Sequence, residues 1–301
     1  QLTGQGPAGE AYRYWFRYRV RQVTANPGIG LPMRTEYQYR NADNDAAHSG
    51  DWKSVDGRGT PDPADDEYEF RGHPRVRVIR YNANGMAVAH SDHYFHQGDG
   101  QATGACAGNL QDPDGMEGRE YRVVHYDAGT PLAETVTNFQ RQAWGSGNNE
   151  RRFIRVDAVC EYAEAGSGVS RRTEYVTDTE DGDPNNDYGN VVQVREYDSV
   201  SAATPIRTTR TAYVANASAW IVDRPTLVET FAGSVNGQKA TETRIFYDRN
   251  ADGSLRAWNS PPTKGDPVRV ENRVNLAANE YAAADTWYDQ WGNVIQKRTY
   301  R

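Results

Sequence analysis

Hydrophobic and polar residues alternate with a period of two along much of the chain, and this is the pattern of a half-buried β-strand. Residues 12–21 show it most fully, because aromatic or valine side chains at every second position alternate with a mainly arginine side. Shorter runs bounded by Gly, Pro, Asn or Asp follow at residues 35–40, 69–81, 120–125, 152–156, 192–197, 220–222 and 226–231. One short helical turn is expected, at residues 277–284. The pattern predicts an all-β fold.

A tyrosine followed by a polar, Gly-containing turn recurs between these runs. The clearest copy is Tyr288 to Tyr300, where a turn from Asp289 to Asn293 separates two strands and Gly292 is available for a positive φ. The residues expected to carry the repeat are Tyr81, Gly85, Tyr126, Asp127, Gly129, Tyr247, Asp248, Gly253, Tyr288, Asp289, Gly292 and Asn293. A turn-centred variant lies at residues 187–192. Irregular spacing is expected where insertions lengthen the loops of a hairpin array, so we expect antiparallel hairpins in one continuous sheet.

Composition supports half-buried pleated surfaces rather than a large apolar core. The hydrophobic fraction is only 37%, whereas the chain has 19 Tyr, 7 Trp and 28 Gly against 3 Met. We expect a single β-sheet domain over residues 1–301, with an N-terminal strand region at 1–34 and the repeat array at 35–301.

The charge of the chain restricts its partners. A net charge of −7 disfavours binding to nucleic acid, which requires a cationic surface. No run approaches the roughly 20 apolar residues of a membrane helix, so membrane insertion is not expected. The polar, acidic residues 41–67 are expected to form surface loops.

Cys106 and Cys160 permit one disulfide bond, and the alternative is two unpaired small apolar side chains. Both cysteines lie beside Gly- or Ala-rich sequence that is typical of turns. Two cysteines do not decide the redox compartment.

Two groups of residues are candidates for metal binding. His90, Asp92 and His96 would project from one face of a strand, and their imidazole and carboxylate groups suit zinc or another transition metal. Polar strand side chains are the favoured alternative, because the spacing matches no zinc signature.

The second group is Asp248, Asn250 and Asp252, which with Gly253 match the first half of a calcium loop. The twelfth position would be Asn259 instead of Glu, so a hairpin with a longer turn is favoured over calcium. No cofactor is expected apart from this candidate calcium ion.

The sequence contains no nucleophile elbow, phosphate-cradling Gly loop or paired-Cys metal motif. We therefore expect a structural protein rather than an enzyme, and we expect no catalytic residues. A metal-dependent enzyme centred on His90 and His96 is the weakest of the alternatives.

The Tyr-Asp-x-x-Gly-Asn segment at residues 288–293 resembles the YD repeat of the RHS family, which includes the shells of Tc insecticidal toxins, of SpvB-like and polymorphic toxins, and of teneurins. Further similar segments are Phe-Arg-Gly-x-x-Arg-Val at 70–76, Tyr-Phe-His-Gln-Gly-Asp at 94–99, Gly-Arg-Glu-Tyr-Arg at 118–122 and Trp-Ile-Val-Asp-Arg-Pro at 220–225. Together they extend over about residues 35–301.

The resemblance implies a strip of hairpins that coils into a hollow shell around a toxin-like polypeptide. The implied partners are the remainder of a larger shell, an enclosed polypeptide or other copies of the chain, and the implied location is secreted or at the cell surface. Two departures concern the repeat and the shell end: Asn82 stands where Asp is usual, and Asp112 to Gly115 do not fit the self-cleaving segment of such shells. Autoproteolysis is therefore not expected.

A different function class also fits the composition. Abundant Tyr and Trp are typical of cell-surface adhesion or carbohydrate-binding modules, in which aromatic rings stack on sugars. Trp144, Trp258 and Trp291 are the candidates for such a surface.

Overall fold

The structure of the chain is a computed structural model. It describes residues 19–26, 28, 32–40, 51–55, 67–98, 106, 112–113, 115–144, 151–164, 168–180, 187–275 and 277–300, with the backbone alone described at 51–55, 67–70 and 144.

Seventeen strands follow one another along the described residues. They are β1 Gln22–Ala25, β2 Met33–Arg40, β3 Asp51–Val55, β4 Glu67–Gly72, β5 Arg75–Tyr81, β6 Ala87–Phe95, β7 Glu120–Asp127, β8 Thr130–Trp144, β9 Arg151–Ala163, β10 Ser170–Thr177, β11 Val191–Tyr197, β12 Arg207–Tyr213, β13 Pro225–Ala232, β14 Lys239–Tyr247, β15 Pro267–Asn275, β16 Glu280–Tyr288 and β17 Val294–Tyr300. Two three-residue 3-10 turns, Asp178–Glu180 and Ala217–Ala219, are the helical elements of the described residues. The prediction of an all-β fold is confirmed.

Fifteen strands form one antiparallel sheet in which spatial neighbours are neighbours in the chain, except that β2 lies directly beside β5. β3 and β4 pair with each other in a separate two-stranded sheet. The large sheet begins at β1 and ends at β17, so it does not close into a barrel. An array of successive hairpins is therefore present, as the repeated turns predicted.

Three local predictions were wrong and one lies mainly outside the described residues. The expected helical turn at 277–284 is a turn followed by β16, because Ala282–Ala284 alternate across a strand that pairs with β15 on one side and β17 on the other. Residues 220–222 are not a strand, since the chain turns sharply at Trp220. The acidic stretch 41–67 is not loop throughout, because it contains β3. Within the strand predicted at 12–21, the described residues 19–21 precede β1.

The chain divides into two compact units, residues 1–170 and 171–301. The expectation of a single domain stays a prediction. In the first unit the buried apolar side chains are Met116, Tyr121, Val124, Val136 and Ala158, together with both cysteines. They lie on β7, β8 and β9 and on the segment between β6 and β7.

The second unit buries more polar than apolar side chains among its described residues. The apolar ones are Tyr197, Phe231, Tyr247, Pro262 and Val268. The polar ones are Thr177, Asp178, Thr208, Thr226, Glu229, Glu242, Asp248 and Asp285. Buried carboxylates require cations or hydrogen-bond donors beside them, and the strands supply both.

The two faces of the sheet in the second unit have different chemistry. Strand register places Gln193, Arg210, Glu229 and Glu242 in one row, and Arg273 on the fifth strand extends it through a contact with Glu242 at 3.1 Å. Charged side chains dominate this row. The neighbouring row on the opposite face consists of Thr211, Val228, Thr243 and Asn272. Threonine and valine suit an exposed pleated surface because their branched side chains pack well on it.

Candidate functional site

The repeated tyrosines stand at strand ends, and each follows a register shift. The shift precedes Tyr81, Tyr126, Tyr213, Tyr247 and Tyr288. A bulge of this kind re-aims the side chain at the end of the strand. Tyr213 was not among the predicted repeat residues, because valine follows it where the other copies have Asp or Asn.

In the second unit the hydroxyl group of each such tyrosine donates a hydrogen bond to the first residue of the preceding strand. Tyr247 donates to the carbonyl oxygen of Pro225 (3.0 Å) and Tyr288 to that of Pro267 (3.1 Å). Tyr213 donates in the same way to Val191 (3.2 Å). The acceptor is the first residue of β13, β15 or β11, respectively. Tyr247 and Tyr288, both predicted as strand anchors, and Tyr213, which was not predicted, thus each tie two neighbouring strands together.

Asp289 closes the clearest repeat turn with its side chain. Its Oδ1 accepts hydrogen bonds from the backbone N–H groups of Trp291 (2.8 Å) and Asn293 (2.9 Å), and the Asn293 side chain donates to Oδ2 (3.0 Å). These bonds lower the pKa of Asp289, with the Asn293 side chain as the largest cause. Gly292 has φ 83°, as the turn prediction required.

The side chain of Asn82 accepts backbone hydrogen bonds in its turn as that of Asp289 does. Its Oδ1 accepts from the N–H groups of Asn84 and Met86, both at 3.0 Å, and Gly85 has φ 77°. An amide oxygen can replace a carboxylate oxygen here because the bonds require only an acceptor. Asparagine at this position therefore preserves the turn.

The copy at Tyr126 is a tighter hairpin. Asp127 pairs directly with Thr130, which leaves Ala128 and Gly129 as the two turn residues. Both have positive φ, 44° and 90°, as a type I′ hairpin requires. Asp127 therefore belongs to the strand pair and does not cap a loop.

Asp248 anchors a much longer loop. It has φ 58° and is buried, and its carboxylate accepts from the N–H groups of Thr263 (2.6 Å), Lys264 (3.1 Å) and Asp266 (3.3 Å). Burial raises its pKa, but these bonds outweigh that effect and lower it. Asp178 stabilises the loop after β10 in the same way, because its carboxylate accepts from the backbone N–H groups of Tyr188 (3.2 Å) and Gly189 (2.8 Å).

The three candidate calcium ligands, Asp248, Asn250 and Asp252, make hydrogen bonds within their own turn and loop. Asn250 begins a turn that Gly253 closes, and Asp252 accepts from both the N–H (2.9 Å) and the hydroxyl (2.6 Å) of Ser254. The Asp248 carboxylate is bound by the long loop described above. The structure thus gives each of the three proposed ligands a protein partner.

Glu242 lies at the centre of the charged row. Its side chain is 4% exposed, and Lys239 (2.8 Å), Arg244 (2.8 Å), Arg273 (3.1 Å) and the Tyr281 hydroxyl (2.7 Å) all contact its oxygens. Burial raises its pKa, but these donors, Lys239 first, outweigh burial and bring it to about 2. Both oxygens are therefore engaged, as in a structural clamp.

Glu229 faces Glu242 across the strand pair β13–β14 and shares one of its cations. Lys239 bridges the two carboxylates, and Arg210 Nε donates to Glu229 at 2.8 Å. Two like charges directly opposite each other would destabilise the pair without such a bridge. Alternation alone did not reveal this row, because it depends on register across five strands.

The transition-metal candidates do not converge. Asp92 is fully buried and is bound by Arg75 (2.6 Å) and Arg77 (2.7 Å). The ring of His90 stacks on Tyr126 at 4.4 Å. Within the described ranges, no group of three or more His, Cys, Asp or Glu side chains is placed to hold a metal ion.

His96 lies beyond the end of β6 in a separate buried cluster. Its Nδ1 is 3.0 Å from Asp112 Oδ1, and both side chains are fully buried. Burial raises the pKa of Asp112, but His96 and the N–H groups of Gln97 and Gly98 outweigh burial and lower it. The cluster holds the segment between β6 and β7 against the sheet.

A disulfide joins Cys106 to Cys160 within the first unit, with a Cα–Cα distance of 5.5 Å. Cys106 belongs to the segment between β6 and β7, and Cys160 belongs to β9. Both are fully buried. The bond therefore fastens the segment that His96 and Asp112 also hold.

No protein-family model and no curated protein matches the chain. Among solved structures, a chain in the crystal structure of TcdB2-TccC3-Cdc42, a Tc toxin complex, is similar with a TM-score of 0.50 and 11% sequence identity. The match covers 86% of this chain and 15% of that chain. At this identity the likeness concerns the fold alone, and it supports a Tc toxin shell-like fold.

None of the helical turns in the described part of the chain is long and apolar enough to span a membrane.

Proposed function

We propose that the chain is a YD-repeat structural module that forms part of the wall of a protective shell around a toxin-like polypeptide. The observation that carries the proposal is the single sheet of successive hairpins, in which Tyr213, Tyr247 and Tyr288 tie neighbouring strands together at the repeated turns. The likeness in fold to part of a Tc toxin complex supports it.

The layer architecture of the described residues supports a partner layer. Domains normally bury a sheet face against a second layer, and the described residues supply only the β3–β4 hairpin besides the large sheet. Further shell segments, an enclosed polypeptide or other copies of the chain would supply that layer.

The buried disulfide supports a secreted or cell-surface location. Disulfides persist in oxidising environments and are rare in reducing ones. The bond closes a separation of 54 residues and has no exposed sulfur, so it fits a structural role.

Protease protection of the complete gene product tests the proposal. A shell would leave a second polypeptide region, besides the sheet, resistant to protease under native conditions. A variant with Glu229→Lys and Glu242→Lys, which places cations inside the charged row, should open the wall and make that region sensitive. If protease digests the second polypeptide region at the same rate in the wild type and in this variant, a shell is contradicted.

A further inference from the structure

Four loops in the second unit lie along the same side of the sheet, where alternate strands end. They follow β10, β12, β14 and β16, which run in the same direction because the strands alternate in an antiparallel order. Each loop carries one aromatic residue, and we call this set the aromatic edge: Tyr188, Trp220, Trp258 and Trp291. Adjacent loops are two strands apart, so their spacing is about 10 Å.

Asparagine side chains tie neighbouring loops of this edge together. Asn190 donates from Nδ2 to the carbonyl oxygen of Val222 (2.8 Å), and Asn216 donates to that of Pro262 (2.8 Å). The first bond joins the loops after β10 and β12, and the second joins those after β12 and β14. Such ties hold the first three loops together as a platform, and this lowers the entropic cost of ligand binding.

Trp220 is the most unusual residue of the platform. Its side chain is 75% exposed, and its backbone is left-handed, with φ 53° and ψ 39°. A bulky residue in this conformation carries strain, and strained residues cluster at binding sites. Its ring meets that of Tyr188 edge-on at 6.1 Å. The fold thus presents an indole to solvent where packing does not require one.

An open cavity of about 340 Å³ lies between the first two loops of the edge. Tyr188, Tyr213 and Leu227 supply ring and alkyl surface, whereas Asn190, Gln193 and Arg210 supply polar groups. A cavity of this size and mixed lining suits a small ring-shaped ligand that is apolar on its face and polar at its rim.

We propose that the aromatic edge binds a neutral oligosaccharide, with one sugar ring in the cavity beside Trp220 and the next rings along the edge toward Trp291. Sugar rings have an apolar C–H face that stacks on indole and hydroxyls that pair with amides. Aromatics set about 10 Å apart, with polar groups between them, fit a repeating ligand better than one contiguous protein interface.

The charges at the edge disfavour an anionic ligand. Asp223 and Arg224 lie side by side with 3.8 Å between their charged atoms, and Arg256 lies 3.7 Å from Asp248. Trp258 is approached by Arg244 at 5.8 Å, whereas Trp291 is 79% exposed. The loops after β12 and β14 thus combine opposite charges, whereas the loops after β10 and β16 contain acidic residues and no Lys or Arg, so the edge provides no positive field for an anionic ligand.

Binding of neutral oligosaccharides to the 301-residue chain tests the proposal, first on a glycan array and then by calorimetry with the best ligand. Trp220→Asn removes the ring while asparagine tolerates the left-handed backbone, so affinity should fall at least about tenfold with an unchanged melting temperature. Trp220→Phe should retain part of the affinity, and Trp291→Ala should weaken longer oligosaccharides more than short ones.

Ile206→Ala is the matched control, because Ile206 is 57% exposed in a turn at the other edge of the same unit. It should bind as wild type does. Equal binding by wild type and Trp220→Asn would overturn the proposal, as would the absence of binding to every neutral oligosaccharide at millimolar concentration. Polypeptide binding that Trp220→Asn removes, without glycan binding, would instead assign the edge to a protein partner and refute the glycan assignment. The shell test is independent, since it reads protease protection.

Discussion

At the scale of single residues, the second unit is held together by carboxylates that several donors share. Asp285 follows the same rule as Glu242, because Arg269 binds it at 2.6 Å and lowers its pKa. A carboxylate that is buried this deeply costs free energy unless its charge is compensated. Ion pairs and hydrogen bonds therefore stabilise this face of the sheet where apolar packing does not.

Replacing Glu242 with Gln should lower the free energy of unfolding by about 2 kcal/mol at pH 7, because Lys239, Arg244 and Arg273 lose a shared counter-charge. The folded pKa of about 2 lies below the ordinary 4.5. The charge of Glu242 thus stabilises the fold fully above about pH 4.5 and loses this effect as the pH falls toward 2. Urea unfolding at several pH values measures both effects.

The control for this series is Glu280→Gln, because Glu280 is exposed at the start of β16. It should change stability by less than about 0.5 kcal/mol at every pH. The difference between Glu242→Gln and wild type should shrink on acidification. A difference that stays constant from pH 7 to pH 2.5 would show that the charge of Glu242 is not the cause.

Replacing Gly292 with Val should destabilise the last hairpin by about 1–2 kcal/mol. An added Cβ would meet no atom within 4 Å, so the cost arises from φ 83° alone. Gly292→Asn should be nearly neutral because asparagine tolerates this conformation. Thermal unfolding of both variants measures the effect, and an equal melting temperature for Val and Asn would contradict the conformational origin.

At the scale of elements, alternation predicted the strands well, but it did not predict what closes the hairpins. A period of two at residues 192–197 and 226–231 reports local pleating, and β11 and β13 include these ranges. Asp248 contacts residues up to 18 positions away, and Asn216 contacts Pro262 across 46 positions. Such partners depend on loop folding, which local pattern does not encode.

The same limit explains the failed local predictions. An Ala-rich run has high helix propensity, but hydrogen bonding to β15 and β17 overrides it at residues 282–284. Two apolar residues after Trp220 suggested a strand, whereas Asn216 accepts from the N–H of Ala219 and starts a 3-10 turn. A side chain that caps its own backbone competes with the sheet ladder.

The disulfide should stabilise the strands of the first unit and leave the second unit unaffected. Reduction, or Cys106→Ser with Cys160→Ser, should lower the stability of the first unit by about 2–4 kcal/mol. Hydrogen exchange should accelerate in β7–β9 and at Met116, which pack near the bond, while β13–β15 retain their protection. Equal acceleration in both units would contradict a local role.

At the scale of the whole molecule, the sheet ends in an exposed strand. All seven residues of β17 are exposed, and Ile295 remains 66% exposed. Unpaired backbone groups on such an edge pair readily with another strand. Homo-oligomers of the isolated chain are therefore expected, formed through this edge strand.

Replacing Ile295 with Lys should shift the isolated chain toward monomer, because a charge on an edge strand opposes strand addition. Light scattering after size-exclusion chromatography, over a hundredfold range of concentration, measures the change. Val274→Lys is the control, since Val274 is 66% exposed but lies on β15, which has strand neighbours on both sides. The wild type should associate with rising concentration and Val274→Lys should follow it. A wild type that stays monomeric throughout would refute edge pairing.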